Sequence, residues 1–374
     1  MEWDYQALEN SESRTGLVKD FLLDVLQLLF RMIPHPTKAR LITFGKPTRN
    51  SPVLVTVNSS LTVRRLSRVL KDEHCYLLVA PAGGINVWCG SVGGHFTIES
   101  ILSIIKTSGI ERLVNHRRLI LPQLCAPAIN SKELNARAGW TGQFGPIRAE
   151  DIPEYLRNGK RVTTAMTEIR YSPKDRLEMA VAMSGSIIVR FSLLPLVIFG
   201  LWGMTRFAVS VLCIAVVLHM FNEKLPGSTN TRKTVAISPL VVSLLFLVSW
   251  SESGISIWNL TWITAFIVAA AVLVGNAHSG YTPFKQCSYS RQFYGYPPLK
   301  IDIVAEACTG CTLCDWVCPV DCFAAMRQND NRTTFVMANP TNCVECGACL
   351  VQCPTTAVVN LYKIPEHSRE LRCT

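Results

Sequence analysis

Nine of the fifteen cysteines in this 374-residue chain lie between Cys308 and Cys353, and eight of them form two copies of one spacing. The first run is Cys308, Cys311, Cys314 and Cys318, closed by Pro319; the second is Cys343, Cys346, Cys349 and Cys353, closed by Pro354. C-x2-C-x2-C-x3-C-P is the spacing that wraps thiolates around 4Fe–4S clusters, with the fourth cysteine of each run crossing to the other cluster. Cys308, Cys311, Cys314 and Cys353 are therefore expected to hold one cluster, and Cys343, Cys346, Cys349 and Cys318 the second. A zinc site needs only four ligands and gives no reason for the trailing prolines. The chemistry expected of this end of the chain is one-electron transfer at low potential.

A tenth cysteine stands apart. Cys89 sits in Ile85-Asn86-Val87-Trp88-Cys89-Gly90, after the pair Gly83-Gly84 and before an expected helix. An arbitrary cysteine beside a tryptophan is usually a buried, inert packing residue. A thiol between a glycine loop and a helix start, on a chain with its own electron supply, points instead to a working thiolate. Cys75, Cys125 and Cys213 have no such setting and are expected to pack.

The elements that must position these residues fall into three blocks. From about 40 to 175 the pattern is α/β: apolar runs at 53–57, 76–80 and 118–121 alternate with helical stretches at 63–70 and 97–107. That alternation predicts a Rossmann-like, doubly wound sheet with ligands beyond the strand C-termini. Pro81–Gly84, Gly93-Gly94 and Gly139–Pro146 are expected to be the loops there. None is a G-x-G-x-x-G fingerprint or a P-loop, so nucleotide binding has little support. Residues 300–374 form the α+β iron–sulfur block, after a linker at 277–299.

Between them, 181–276 turns apolar. Hydrophobic residues make up 49% of the chain and charged residues 17%, which suggests a membrane portion. Four spans are expected, at roughly 181–203, 206–222, 235–250 and 255–275, the first containing Arg190 and Pro195. Loop 223–234 carries Lys224, Arg232 and Lys233, whereas 251–254 is Ser-Glu-Ser-Gly. Arg170, Lys174 and Arg176 precede the spans, and Lys285 and Arg291 follow them. By the positive-inside rule both soluble blocks face the cytoplasm from a multi-pass domain in the cytoplasmic membrane. Residues 1–39 are read as a helix over 14–33 and a linker. Lys19, Asp20 and Asp24 make that helix too charged to span, and it is expected to pack on the following domain. The opening Met1–Gln6 has no secretory signal pattern. The net charge of +10 is explained by basic residues flanking the spans and gives no case for nucleic acid.

Asn86-Val87-Trp88-Cys89 resembles the cap-helix motif of the membrane corrinoid family of mercury methylation (HgcA). The run Cys343-Val-Glu-Cys346-Gly-Ala-Cys349 is similar to that family's partner ferredoxin (HgcB), so the chain looks like a fusion of the two. Asn50–Thr56, Leu119–Leu124 and Phe144–Pro153 also look familial. The resemblance implies a base-off corrinoid of the cobalamin type, with Cys89 as the axial ligand of cobalt and Thr56, Asn86, Val87, Trp88 and Gln123 among its contacts. It implies a methyltransferase that moves a methyl group from cysteine-ligated methylcobalt to Hg(II), and a ferredoxin that returns cobalt toward Co(I). Clusters of this kind reach down to roughly −700 mV, and a short tether gives an effective concentration on the order of millimolar. An upstream methyl-donor protein and an electron donor to the ferredoxin are the implied partners. Cys373 and Cys322 are candidate mercury-handling thiols.

Two differences from that family stand out. After the cysteine this chain reads Gly90-Ser91-Val92-Gly93 where the family carries a lysine, and the C-terminus offers Cys373 rather than a cysteine pair. The histidine-ligating motif D-x-H-x-x-G is also absent: Asp72-Glu-His74 is followed by Leu77, leaving His74 as a surface residue. Two alternatives stay open. One is a corrinoid methyl carrier for another acceptor, similar to the corrinoid iron–sulfur proteins of the acetyl-CoA pathway, which look to lack a cap cysteine. The other is a membrane electron-transfer protein that binds no corrinoid.

Overall fold

The structure, a computed structural model, describes residues 14–31, 33–169, 172–221, 224, 264, 268, 299–328 and 330–363. The chain divides into two compact units, Met1–Ile33 with Tyr171–Pro283, and Pro34–Arg170 with Phe284–Thr374.

In the first unit, helix α1 (Arg14–Leu29) packs against a later helix of the same unit, Pro173–Phe191, rather than against the α/β block as expected. Small residues allow that approach: a Cβ at Gly185 would collide with the backbone of Leu29.

The second unit contains a five-stranded sheet. Its strands are β1 (Arg40–Phe44), β2 (Val53–Val57), β3 (Cys75–Ala80), β4 (Arg118–Leu121) and β5 (Thr141–Phe144), in spatial order β1-β3-β2-β4-β5. β1 is antiparallel to β3 and all other pairings are parallel. Every residue of β2 and β3 is buried, as strands covered on both faces require, which is why they read as unbroken apolar runs.

The connecting helices are α2 (Ser60–Leu70), α3 (Val87–Val92), α4 (Ile98–Ser108), α5 (Ser131–Ala138) and α6 (Ile152–Arg157). The chain moves one way across the sheet from β2 to β3 and the other way from β3 to β4. Right-handed crossovers therefore place α2 and α4 on opposite faces. α2 joins α6 over one face, with Val63, Leu66 and Leu70 meeting Leu77, Val79, Ile120, Ile152 and Tyr155. α4 packs on β3 and β1. The winding reverses between β2 and β4, and this is where a parallel sheet opens a ligand crevice beyond its strand C-termini.

Strand β5 lies inside the segment Gly139–Pro146 that was expected to be a loop. It pairs with β4 along its full length. Gly142 sits here because a Cβ would come within 2.6 Å of Leu121 Cδ1. A four-residue edge strand holding a packing glycine gives too little periodicity to be read from sequence.

In the first unit, the expected first span, 181–203, with a later start or a kink expected at Arg190 and Pro195, falls on two helices, α7 (Pro173–Phe191) and α8 (Leu193–Phe221). The chain breaks at Ser192, and α8 is interrupted at Gly200, whose φ is 62°. α7 begins with a capping box between Ser172 and Asp175, carries Lys174, Arg176 and Glu178, and buries Ala180, Ala182, Ser184 and Gly185, so it is amphipathic. Ala180 and Ile187 pack on Phe207, Val211, Ile214 and Leu218 of α8. Among the described residues α8 is the one helix long and apolar enough to cross a membrane, with mean hydropathy 2.0. From Leu201 to Phe221 it runs about 31 Å at 1.5 Å per residue, near the thickness of a bilayer core. The expected spans 235–250 and 255–275 lie almost wholly outside the described residues, as does the linker 277–299 except for Leu299.

The cysteine-rich end is two interleaved repeats. β6 (Ile301–Ile303) pairs antiparallel with β9 (Val358–Asn360), and β7 (Phe323–Arg327) with β8 (Thr333–Met337). The first cysteine run and helix α9 (Leu313–Trp316) lie between β6 and β7; the second run and α10 (Ala348–Gln352) lie between β8 and β9. The strand before the first run thus pairs with the strand after the second.

Candidate functional site

The segments leaving β2, β3 and β4 line the crevice at the winding reversal. Thr56 and Val57 end β2 fully buried, and Asn58 comes next, 8% exposed. Asn58 Oδ1 accepts from the backbone N–H of Ala82 (2.8 Å) and Gly84 (3.0 Å), while its Nδ2 donates to the Thr37 carbonyl at 3.1 Å. One side chain therefore folds the loop that carries the chain from β3 into α3. Gly84 has φ 78°, and a Cβ there would strike the backbone of Pro36, so only glycine fits. Sequence reading missed Asn58; the available signal was a polar residue directly after five apolar strand residues. Asn58→Ala is expected to lower stability by about 2–4 kcal/mol, because it strands two buried N–H donors. Asn58→Asp keeps the acceptor but turns a carboxylate oxygen toward the Thr37 carbonyl, so it is also expected to lose stability. Chemical denaturation of the full chain checks both.

Helix α3 begins at its N-cap, Asn86, whose Oδ1 accepts from the Cys89 N–H at 2.9 Å. Asn86 was expected among the cofactor contacts; here its side chain holds the backbone of Cys89 and ends the helix's run of orphan donors. The Val87 carbonyl accepts from the Ser91 hydroxyl at 2.7 Å. Trp88 is buried and Cys89 half-buried. α3 packs on β2 and on the 3-10 turn Gln123–Cys125 just after β4. Thr56, Asn86, Val87, Trp88, Cys89 and Gln123 thereby lie on elements that meet beyond the C-terminal ends of β2, β3 and β4.

Gln123 is 2% exposed. Its Nε2 donates to two carbonyls, Thr167 at 3.2 Å and Trp316 at 3.1 Å. Its Oε1 is buried with no hydrogen-bond partner among the described residues. A buried acceptor left without a donor costs about 1–3 kcal/mol, so this atom marks a place suited to a ligand that brings N–H groups. The remaining cysteines of the α/β block behave differently. Cys75 and Cys125 are wholly buried; burial pushes the Cys75 thiol up to about 12 and that of Cys125 higher still, so both pack as neutral thiols. His74 is exposed, its Nδ1 accepting from the Lys46 N–H at 3.0 Å.

The eight cysteines of the two runs surround two cavities. Cys308, Cys311, Cys314 and Cys353 line the first; Cys318, Cys343, Cys346 and Cys349 line the second. Each cavity thus takes its fourth cysteine from the other run. Among the described residues no three His, Cys, Asp or Glu side chains converge on a single-ion position. The thiols are spread around a space, as a polynuclear group needs. The backbone repeats as well: φ is positive at Gly310 and Glu345, at Thr312 and Gly347, and at Asp321 and Thr356, which are equivalent positions of the two runs. Left-handed residues at matched places curl the backbone around each cavity, a conformation that turns N–H groups inward toward an anionic guest. Burial raises the Cys314 and Cys346 thiols to about 12 and lifts that of Cys349 well above its ordinary value, so a bound metal would favour their deprotonation. Cys322 forms part of the second cavity's wall, 1% exposed, with its N–H donating to Cys318 Sγ at 3.4 Å. It is not a solvent-facing thiol. Cys287 and Cys373 lie outside the described residues.

Residues 25–156 match the family described as CO dehydrogenase/acetyl-CoA synthase delta subunit. The chain is 34% identical over 125 residues to the acetyl-CoA decarbonylase/synthase complex subunit gamma of Methanopyrus kandleri, covering 33% of this chain and 27% of that one. The subunit gamma of Methanothermobacter thermautotrophicus is 34% identical over 142 residues, 36% and 31% of the two chains. The corrinoid/iron-sulfur protein large subunit of Moorella thermoacetica is 29% identical over 127 residues, 33% and 28% of the two chains. This chain therefore spans about a quarter to a third of the length of the curated relatives it matches. These similarities support a corrinoid protein family for the α/β block.

Proposed function

We propose that this chain is a corrinoid-dependent methyl-transfer protein that carries its own electron supply as two 4Fe–4S clusters. The observation that carries this is the end of the sheet where the winding reverses: a helix capped by Asn86 and carrying Cys89 packs on the turn that holds Gln123, whose buried Oε1 has no hydrogen-bond partner among the described residues. A corrinoid has amide groups around its rim, and the buried acceptor of Gln123 fits such a donor. Thr56, Asn86, Val87, Trp88 and Gln123 would line the group, and Cys89 would be the axial ligand on its base-off face. When bound, the corrinoid supplies a metal–carbon bond whose methyl group can be passed to an acceptor. Cys89 contributes a soft, strongly donating thiolate, and Asn86 holds the backbone from which that thiolate is presented. The two cysteine cavities, each built from both runs, fit two 4Fe–4S clusters, which supply single electrons at low potential.

The names of the relatives favour a methyl carrier in general, with an acceptor of the acetyl-CoA pathway type. Cys89 favours Hg(II): it would offer the bound group a soft thiolate, and such a donor suits methyl transfer to a thiophilic cation. In this proposal α8 is one span of a multi-pass domain in the cytoplasmic membrane, and the basic residues flanking the apolar block support a cytoplasmic location for both soluble blocks. An upstream methyl-donor protein and an external electron donor complete the cycle. The experiment is single-turnover transfer from anaerobically purified, methylcobalamin-loaded full chain to Hg(II)–thiolate, with free methylcobalamin as background. Methylmercury forming faster than background supports the mercury acceptor. Bound corrinoid without excess methylmercury assigns the methyl group to another acceptor, and failure to bind cobalamin under reducing conditions sinks the proposal.

A further inference from the structure

The α/β block and the cysteine module belong to one compact unit, and specific hydrogen bonds join them. Gln123 Nε2 donates to the carbonyl of Trp316 at 3.1 Å, and Asn130 Nδ2 to the carbonyl of Val351 at 2.7 Å. Trp316 lies two residues past Cys314 and Val351 two residues past Cys349, so the two gripped carbonyls are equivalent positions of the two repeats. Gln352, 8% exposed, reaches back and donates to the carbonyls of Ala126 (2.8 Å) and Ile129 (2.7 Å). The Ile169 N–H donates to the Pro319 carbonyl at 3.2 Å, and the Trp316 ring meets Phe144 edge to face, centroids 6.5 Å apart. Gln123 and Gln352 are buried and Asn130 half-buried, and amides that hold backbone carbonyls in such places are a built interface, since each would be costly to leave unmade.

This interface sits where it can serve the crevice. On the α/β side, Gln123 to Asn130 leave the end of β4 and Phe144 ends β5; the 3-10 turn at Gln123 is the one on which α3 packs. On the module side, the gripped carbonyls lie between Cys314 and Cys318 and between Cys349 and Cys353, so ligands of both cavities flank the contact.

We infer that Gln123, Asn130 and Gln352 are positioning residues that clamp the iron–sulfur module at the mouth of the crevice for direct electron delivery. The module then works from a fixed docked position rather than as a donor diffusing on a tether. This rests on the function proposed above. In the step served, one electron leaves a reduced cluster, which is oxidised by one, and enters the corrinoid metal, which is reduced by one. A low-potential one-electron carrier recharges the cluster.

Asn130→Asp combined with Gln352→Glu tests the clamp without changing side-chain shape. Asn130 Oδ1 also caps α5 through the N–H groups of Lys132 and Glu133, and aspartate keeps that cap. Both variants replace N–H donors by carboxylate oxygens facing carbonyls. Two measurements on the full chain read the result, with iron content and cluster EPR as checks on folding. In hydrogen–deuterium exchange, residues 123–130 and 348–353 are expected to lose protection together. In stopped-flow mixing of cobalamin-loaded protein with limiting Ti(III) citrate, the phase in which clusters reoxidise as cobalamin is reduced should slow by on the order of 100-fold. Unchanged protection in both segments overturns the clamp. Lost protection with an unchanged transfer phase overturns its role in electron delivery. If the double variant loses its clusters, Asn130→Asp alone decides by the same readouts. A chain that binds no cobalamin sinks the function proposed above, while the exchange pattern still decides whether the clamp exists.

Discussion

Cys89→Ala is expected to reduce methyl transfer in a single turnover to the spontaneous rate of free methylcobalamin, while both clusters keep their full iron content. The substitution is small for the fold. Cys89 is half-buried, its backbone N–H stays with Asn86 Oδ1 at 2.9 Å, and alanine is a good helix residue, so α3 should form unchanged. The thiolate is lost. A metal ligand contributes more than the groups that merely orient it, whose removal already costs 10- to 100-fold. A loss on the order of 100-fold or more is therefore expected. The measurement is the rate of methyl transfer to Hg(II)–thiolate from loaded wild type and variant, alongside the visible spectrum of the bound corrinoid. Normal transfer with an unaltered cobalt spectrum would remove Cys89 from the proposed chemistry.

Cys346→Ala should separate the two halves of the cycle. Cys346 is buried in the wall of the second cavity, together with Cys318, Cys343 and Cys349. With three of four thiolates the second cluster should be lost or labile. Protein already loaded with a methyl group needs no electron to pass it on, so the first turnover should stay within about twofold of wild type. Repeated turnover with a supplied methyl donor and reductant should fall by on the order of 100-fold, because only recovery of the reduced metal requires the clusters. Retention of the first turnover also shows that the crevice is intact. Undiminished repeated turnover would remove the electron-supply role. Cys311→Ala, at the exposed rim of the first cavity, asks the same of the other cluster.

The features readable directly from the sequence are those that short-range covalent geometry dictates. The spacing of the cysteine runs limits how far each thiol can reach, and Cys308, Cys311, Cys314 and Cys353 line one cavity while Cys318, Cys343, Cys346 and Cys349 line the other. β2, β3 and β4 were legible because strands buried on both faces have no polar positions to interrupt them. Asn86-Val87-Trp88-Cys89 was expected to precede a helix, whereas it is itself the start of one, with Asn86 as N-cap and Cys89 in the first turn. The edge strand β5 was not legible, since half of it is open and Gly142 answers to Leu121 rather than to strand propensity.

The tertiary structure alone decided how those pieces act together. It made Asn58 the organiser of the loop before α3, and it joined Gln123, expected as a cofactor contact, to the cysteine module through the Trp316 carbonyl. The Gln123–Trp316 and Asn130–Val351 bonds join residues 193 and 221 positions apart. An amide side chain that meets a distant backbone carbonyl leaves no period, spacing or composition behind, because any residue supplies the carbonyl. Only the folded sheet, by bringing the end of β4 to the two cysteine helices, gives those amides something to hold.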